Sequence, residues 1–159
     1  MIVVKNYHNS GFSLIELLTV VILLGILGVV ALGRFGNTDV FAARGFFDDT
    51  VSAVRFAHKL AISSGCDVRV ITAATGYELR QSSGCTADDF TSPVANPANR
   101  ANPYQNARPP PDGYTLSAGN ITFNARGERE EATSDFSFSD GATTFTFRVH
   151  AGTGLVEKI

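Results

Sequence analysis

The sequence is short of most residues that carry chemistry. It has two cysteines, three histidines and no tryptophan in 159 residues. Two cysteines cannot form a four-ligand structural zinc site without histidine, and His8, His58 and His150 are scattered without a matched ligand spacing. Basic charge is also scarce. The formal net charge is −2, whereas a dedicated nucleic-acid protein is usually basic, so nucleic acid is not an expected partner. The chain has no G-x-S-x-G nucleophile turn and no G-K-[ST] phosphate loop; Gly152-Thr153-Gly154 lacks the following lysine and reads as a turn. No enzyme, cofactor or metal site is expected. Long apolar runs number one, which excludes a channel or transporter within this chain but permits a single membrane crossing.

That one run holds the information. Residues 12–32 contain 16 apolar positions out of 21 and a single charge, Glu16. Seven of the eleven leucines lie there, while eleven of the twelve phenylalanines lie elsewhere. The 127 residues after position 32 are ordinary in composition and long enough for one core. As a helix the run rises about 31 Å, close to a bilayer's hydrocarbon thickness. It is longer than the apolar region of a secretory signal peptide, and no small-x-small cleavage site follows it cleanly. A plain single-pass anchor fits the length but leaves Glu16 unexplained, because a carboxylate in lipid costs a few kcal/mol.

The stretch Gly11-Phe12-Ser13-Leu14-Ile15-Glu16-Leu17-Leu18 resembles the processing site of the type IV pilin family. The resemblance implies cleavage between Gly11 and Phe12 by a prepilin peptidase, N-methylation of Phe12, and a register-setting role for Glu16, now fifth, against a neighbouring subunit's N-terminal amine. A buried carboxylate and a buried ammonium each remove most of the other's desolvation penalty, so an unpaired Glu16 would penalise wrong registers. The resemblance also implies a cleaved leader, residues 1–11, and a transmembrane and filament-core helix, 12–35. The expected location is the inner membrane, single-pass, with the C-terminal domain in the periplasm, and then a pilus or pseudopilus. Other major and minor pilins and an inner-membrane assembly platform are the implied partners. The leader departs from the family pattern: it opens Met1-Ile2-Val3-Val4 and carries Lys5 as its one sure positive charge. Many relatives have proline where this chain has Gly33; either residue weakens a helix, so a bend and a plain helix both stand there.

A second helical pattern occupies 36–64. Phe47, Val51, Val54, Ala57 and Ala61 recur at three or four residues and share a face. Asn37 or Thr38 fits the N-cap and Gly65 the left-handed terminus. Residues 65–159 read as a β-domain. Cys66–Thr72 and Tyr77–Ser82 alternate around a four-residue turn, giving a hairpin in which Thr72 faces Tyr77 and Cys66 faces Ser83, two residues from Cys85. Tyr114–Ser117 and Ile121–Asn124 read as strands joined by a Gly119-Asn120 turn. Phe136 and Phe138, then Phe145, Phe147 and Val149, alternate around Asp140-Gly141-Ala142, and Leu155–Ile159 reads as a last strand. All six prolines lie within a loop spanning 86–113, either a subunit-contacting surface or a variable insertion. Arg126, Glu128, Arg129, Glu130 and Glu131 read as an exposed turn. The pairs Asp48-Asp49 and Asp88-Asp89 read as solvated acids, with calcium the weaker alternative.

The expected fold class is α+β: a long N-terminal helix packed on an antiparallel β-sheet domain, the pilin-like lollipop that the resemblance implies. An oxidising periplasm would join Cys66 to Cys85; two free thiols are the alternative. The segments RFAHKLA and SGCDVRV and the terminal TG-L-V pattern resemble GspH/FimT-type minor pilins, above all those of mannose-sensitive haemagglutinin (MSHA) pili, which serve adhesion. A minor pseudopilin of type II secretion is the first alternative. A DNA-binding minor pilin is the second, and it is disfavoured because the chain ends without an arginine cluster and offers only Arg100 and Arg108 in the proline segment.

Overall fold

The computed structural model describes residues 13–32, 38–85 and 89–159. It falls into two compact units, 1–38 and 39–159. In the first, helix α1 spans Leu14–Leu32. Its apolar side chains, from Leu14 to Leu27, are exposed all round the helix, so this surface has no partner among the described residues of the unit. The expected bend near Gly33 lies outside the described residues.

The second unit is built on helix α2, Thr38–Ser64. The periodic positions Phe47, Val51, Val54, Ala57 and Ala61 are all buried, with Ala43, Phe46 and Thr50 on the same face. The Thr50 hydroxyl donates to the Phe46 carbonyl at 2.9 Å, which lets a polar group sit in the core. Gly65 ends the helix in the left-handed region, φ +66°, its N–H on the Ala61 carbonyl.

Among the described residues eight strands follow: β1 Val68–Ala73, β2 Gly76–Gln81, β3 Ser92–Pro93, β4 Thr115–Leu116, β5 Gly119–Phe123, β6 Ser134–Ser139, β7 Thr144–Val149 and β8 Val156–Lys158. They form two antiparallel sheets, ordered β3-β2-β1-β5 and β4-β6-β7-β8. The inward rows meet α2. Phe46 stacks on Phe138 at 4.9 Å, Phe47 on Phe145 at 5.5 Å, and Phe136 on Phe147 at 5.3 Å. Stacked rings contribute beyond the area they bury.

The β1–β2 hairpin has the expected register, Thr72 facing Tyr77, and the end residues of its four-residue turn, Ala73 and Gly76, pair as well. Two sequence readings are corrected. Gly119-Asn120 is not a turn: it opens β5, and the chain changes sheet just before it, so β4 and β5 never pair. The buried Thr72 hydroxyl ties this crossing, reaching the carbonyls of Ser117 at 2.8 Å and Gly119 at 3.2 Å. Gly119 is glycine for close packing, since a Cβ there would lie 2.9 Å from the Phe136 ring. Arg129 is not exposed. It is 4% accessible, with Nη1 on the Val149 carbonyl at 2.9 Å, Nε 3.4 Å from Glu131 and its guanidinium over the Phe136 ring. One buried arginine inside a charged run leaves no periodic signal to read.

The proline segment is more structured than a loop. Val94, Tyr104 and Asn106 donate backbone hydrogen bonds to the carbonyls of Leu79, Val94 and Tyr77, and the Tyr104 carbonyl accepts one from the Leu79 N–H. Strand β3 and the bridges Ala95 to Pro103 and Glu78 to Gln105 extend the first sheet through it.

Candidate functional site

Gly11 and Phe12, the expected processing residues, lie outside the described residues. Glu16 is inside them. Ser13 stands just before α1 and its Oγ accepts the Glu16 N–H at 3.2 Å; the Ser13 carbonyl accepts the same N–H at 3.1 Å. Ser13 is therefore the N-cap, and Glu16 occupies the third helical position of a Ser-x-x-Glu capping-box spacing. A carboxylate in the first turn also faces the positive end of the helix dipole. The sequence reading missed Ser13, although this spacing is visible in it. Glu16 is exposed in the subunit, so its side chain is open to another chain. Three residues on, the Thr19 hydroxyl donates to the Glu16 carbonyl at 2.9 Å, which satisfies the next polar group of the helix internally.

Among the described residues no helix is long and apolar enough to cross a membrane. The α1 backbone itself continues to Leu32, and its 19 residues rise about 28 Å.

Cys66 and Cys85 are joined in a disulfide, with Cα atoms 4.0 Å apart. The β1–β2 register brings them there: Thr72 pairs with Tyr77, Val68 with Gln81, and the Ser82 N–H still reaches the Asp67 carbonyl at 3.1 Å. The Asp67 N–H then donates to the Cys85 carbonyl at 2.9 Å. The bridge closes the open end of the hairpin directly after α2.

The remaining candidates serve the fold. Asp48 pairs with Lys158 at 2.5 Å, and Asp49 accepts the Tyr77 hydroxyl at 2.6 Å. Burial first, and then this bond to Asp49, raises the Tyr77 pKa far above its usual value. Asp89 accepts both the hydroxyl and the N–H of Ser83, which holds its carboxyl below the usual range. Asp88 lies outside the described residues. His58 packs against Phe123 at 5.3 Å, and His150 lies 3.2 Å from Glu157. Among the described residues no group of His, Cys, Asp and Glu side chains is arranged to hold a metal ion.

The fold and the N-terminal segment define a class: an α+β, pilin-like protein in which an apolar helix precedes a domain of one helix and two antiparallel sheets. The prokaryotic N-terminal methylation motif matches residues 6–32. Among solved structures, the chain is similar to the type IV minor pilin FimU of Pseudomonas aeruginosa in two crystal forms. The first has a TM-score of 0.57 at 11% identity, covering 77% of this chain and 91% of that one. The second has a TM-score of 0.52 at 10% identity, covering 73% and 91%. No curated protein matches the sequence. The chain thus carries a prokaryotic N-terminal methylation motif ahead of a pilin-like fold.

Proposed function

We infer that the chain is a minor type IV pilin, a structural and assembly-priming subunit of a bacterial surface filament of the MSHA type that serves adhesion. The observation that supports this most is a coincidence: the methylation motif over residues 6–32 precedes a domain whose fold is similar to that of a minor pilin. In this reading a prepilin peptidase cuts between Gly11 and Phe12 and methylates Phe12. Helix α1 then spans the inner membrane once, with the disulfide-closed domain in the periplasm, until the assembly platform transfers it among other major and minor pilins. The unpartnered apolar surface of α1 suits both environments. Glu16, capped and exposed near the start of α1, meets the methylated amine of a neighbour and sets register.

The test is to compare parent, Gly11→Leu and Glu16→Ala chains in cells. Gly11→Leu is expected to leave an uncleaved form of higher mass on a gel, and normal processing would refute the assignment. Glu16→Ala is expected to be processed but to lower piliation, whereas parent-level pili would refute the register role. Normal pili with failed export of folded proteins in the gene deletion would move the chain to a secretion pseudopilus.

A further inference from the structure

One groove in the 39–159 unit is unused by anything described so far. It has a volume of about 350 Å³ and lies between the first turns of α2 and the end of the proline segment. Gly45 and Phe46 form one wall, Pro109 and Pro111 the other, with Asp49 and Arg108 also lining it. The walls are apolar, and the Asp49 carboxylate is exposed within them. The Tyr77 hydroxyl donates to one of its oxygens, but no cation among the described residues pairs with it, not even Arg108 across the groove. Phe41, 78% exposed, extends the apolar surface on the preceding turn of α2.

A volume near the lower end of small-molecule pockets suits one long side chain better than a large ligand. An apolar channel leading to an unpaired carboxylate matches one side-chain chemistry: an aliphatic stem carrying a cation. We propose that this groove receives a lysine or arginine side chain from a neighbouring filament subunit, with the cation on Asp49 and the stem against Phe46, Pro109 and Pro111. The proposal rests on the filament reading above. It also gives the proline segment a role as the second wall of a subunit contact, with Phe41 covered at its rim.

Two variants of the full chain separate docking from folding. A Cβ on Gly45 would meet nothing within 4 Å, so Gly45→Leu fills the groove without a clash at its root and replaces the poorest helix former but proline. Its melting temperature is expected at or above the parent's, with incorporation into sheared filaments reduced. Asp49→Asn keeps an acceptor for Tyr77 and removes only the charge; incorporation is expected to fall about tenfold or more, as when one partner of a buried charge pair is lost. A photoreactive residue at Ala107 should crosslink to a peptide of another filament subunit that contains lysine or arginine. Parent-level incorporation of both variants, crosslinks confined to the chain itself, or crosslinks to a protein outside the filament would each overturn the proposal. Equal loss of melting temperature in Asp49→Asn and Arg108→Gln would also overturn it, because Asp49 would then be satisfied by Arg108. The parent chain separates the two readings. If it is absent from sheared filaments, the filament reading fails; if it is present and both groove variants enter equally well, the groove proposal alone fails.

Discussion

Replacing Cys66 and Cys85 with serine tests how much of the domain's stability comes from closing one hairpin. The bridge spans a separation of 19 residues. On the chain-entropy account, cross-linking a loop of that length removes about 3 kcal/mol of conformational freedom from the unfolded chain. The 39–159 unit is intermediate between the size classes for which one kcal/mol shifts the melting point by 4–8 °C and by 2–4 °C, so about 4 °C per kcal/mol applies. The double variant is therefore expected to melt about 12 °C below the parent. The assay is circular dichroism of the full chain in detergent, with the parent measured with and without reductant. The reduced parent should approach the double variant, because both lose the same constraint. Backbone groups nearest the bridge should exchange first, beginning with the Asp67 N–H on the Cys85 carbonyl. A melting point within 2 °C of the parent would refute the reasoning, as would two alkylatable thiols in unreduced protein.

Gly119→Val should destabilise the domain by about 1–3 kcal/mol, the range for overpacking a filled core, because its Cβ would sit 2.9 Å from the Phe136 ring; a urea midpoint equal to the parent's would contradict this. Acid should destabilise the domain through carboxylates whose folded pKa is depressed: Asp89 by Ser83, Asp135 by Arg148, Asp140 by the Thr143 N–H, and Glu128 by Asn124 and then Arg126. A depressed folded pKa contributes stability above the unfolded value and loses it as pH falls through the folded one. Stability should thus be flat near neutrality and decline from about pH 4 downward, and a pH-resolved urea series with no decline there would contradict it.

Particular elements show what was legible. The buried face of α2 followed from apolar residues at helical spacing, and the core phenylalanines of β6 and β7 from strict alternation. The approach of Cys66 to Cys85 followed from hairpin register, because pairing propagates residue by residue from a turn. The proline segment was less legible: it lacks any period, and its order comes from backbone hydrogen bonds to β2 that any side chains could accompany. Gly119 misled because glycine signals both a turn and a close approach, and only the neighbouring ring distinguishes them. Of the candidate site, Glu16 stood out as one charge in an apolar run, whereas its cap, Ser13, needed attention to a spacing of three.

The sequence by itself determined the N-terminal methylation motif, the apolar helix with its single carboxylate, and the helical and strand periods of the domain. These are local properties, set by residues near one another along the chain. Only the tertiary structure decided that the strands divide into two sheets, that Arg129 is buried on the Val149 carbonyl, and that Asp49 has no cation partner among the described residues, in a groove walled by residues some sixty positions apart. Those outcomes depend on which distant surfaces meet. A guanidinium or carboxylate carries no mark in the sequence of whether its partner will be water, a carbonyl across a core, or another chain.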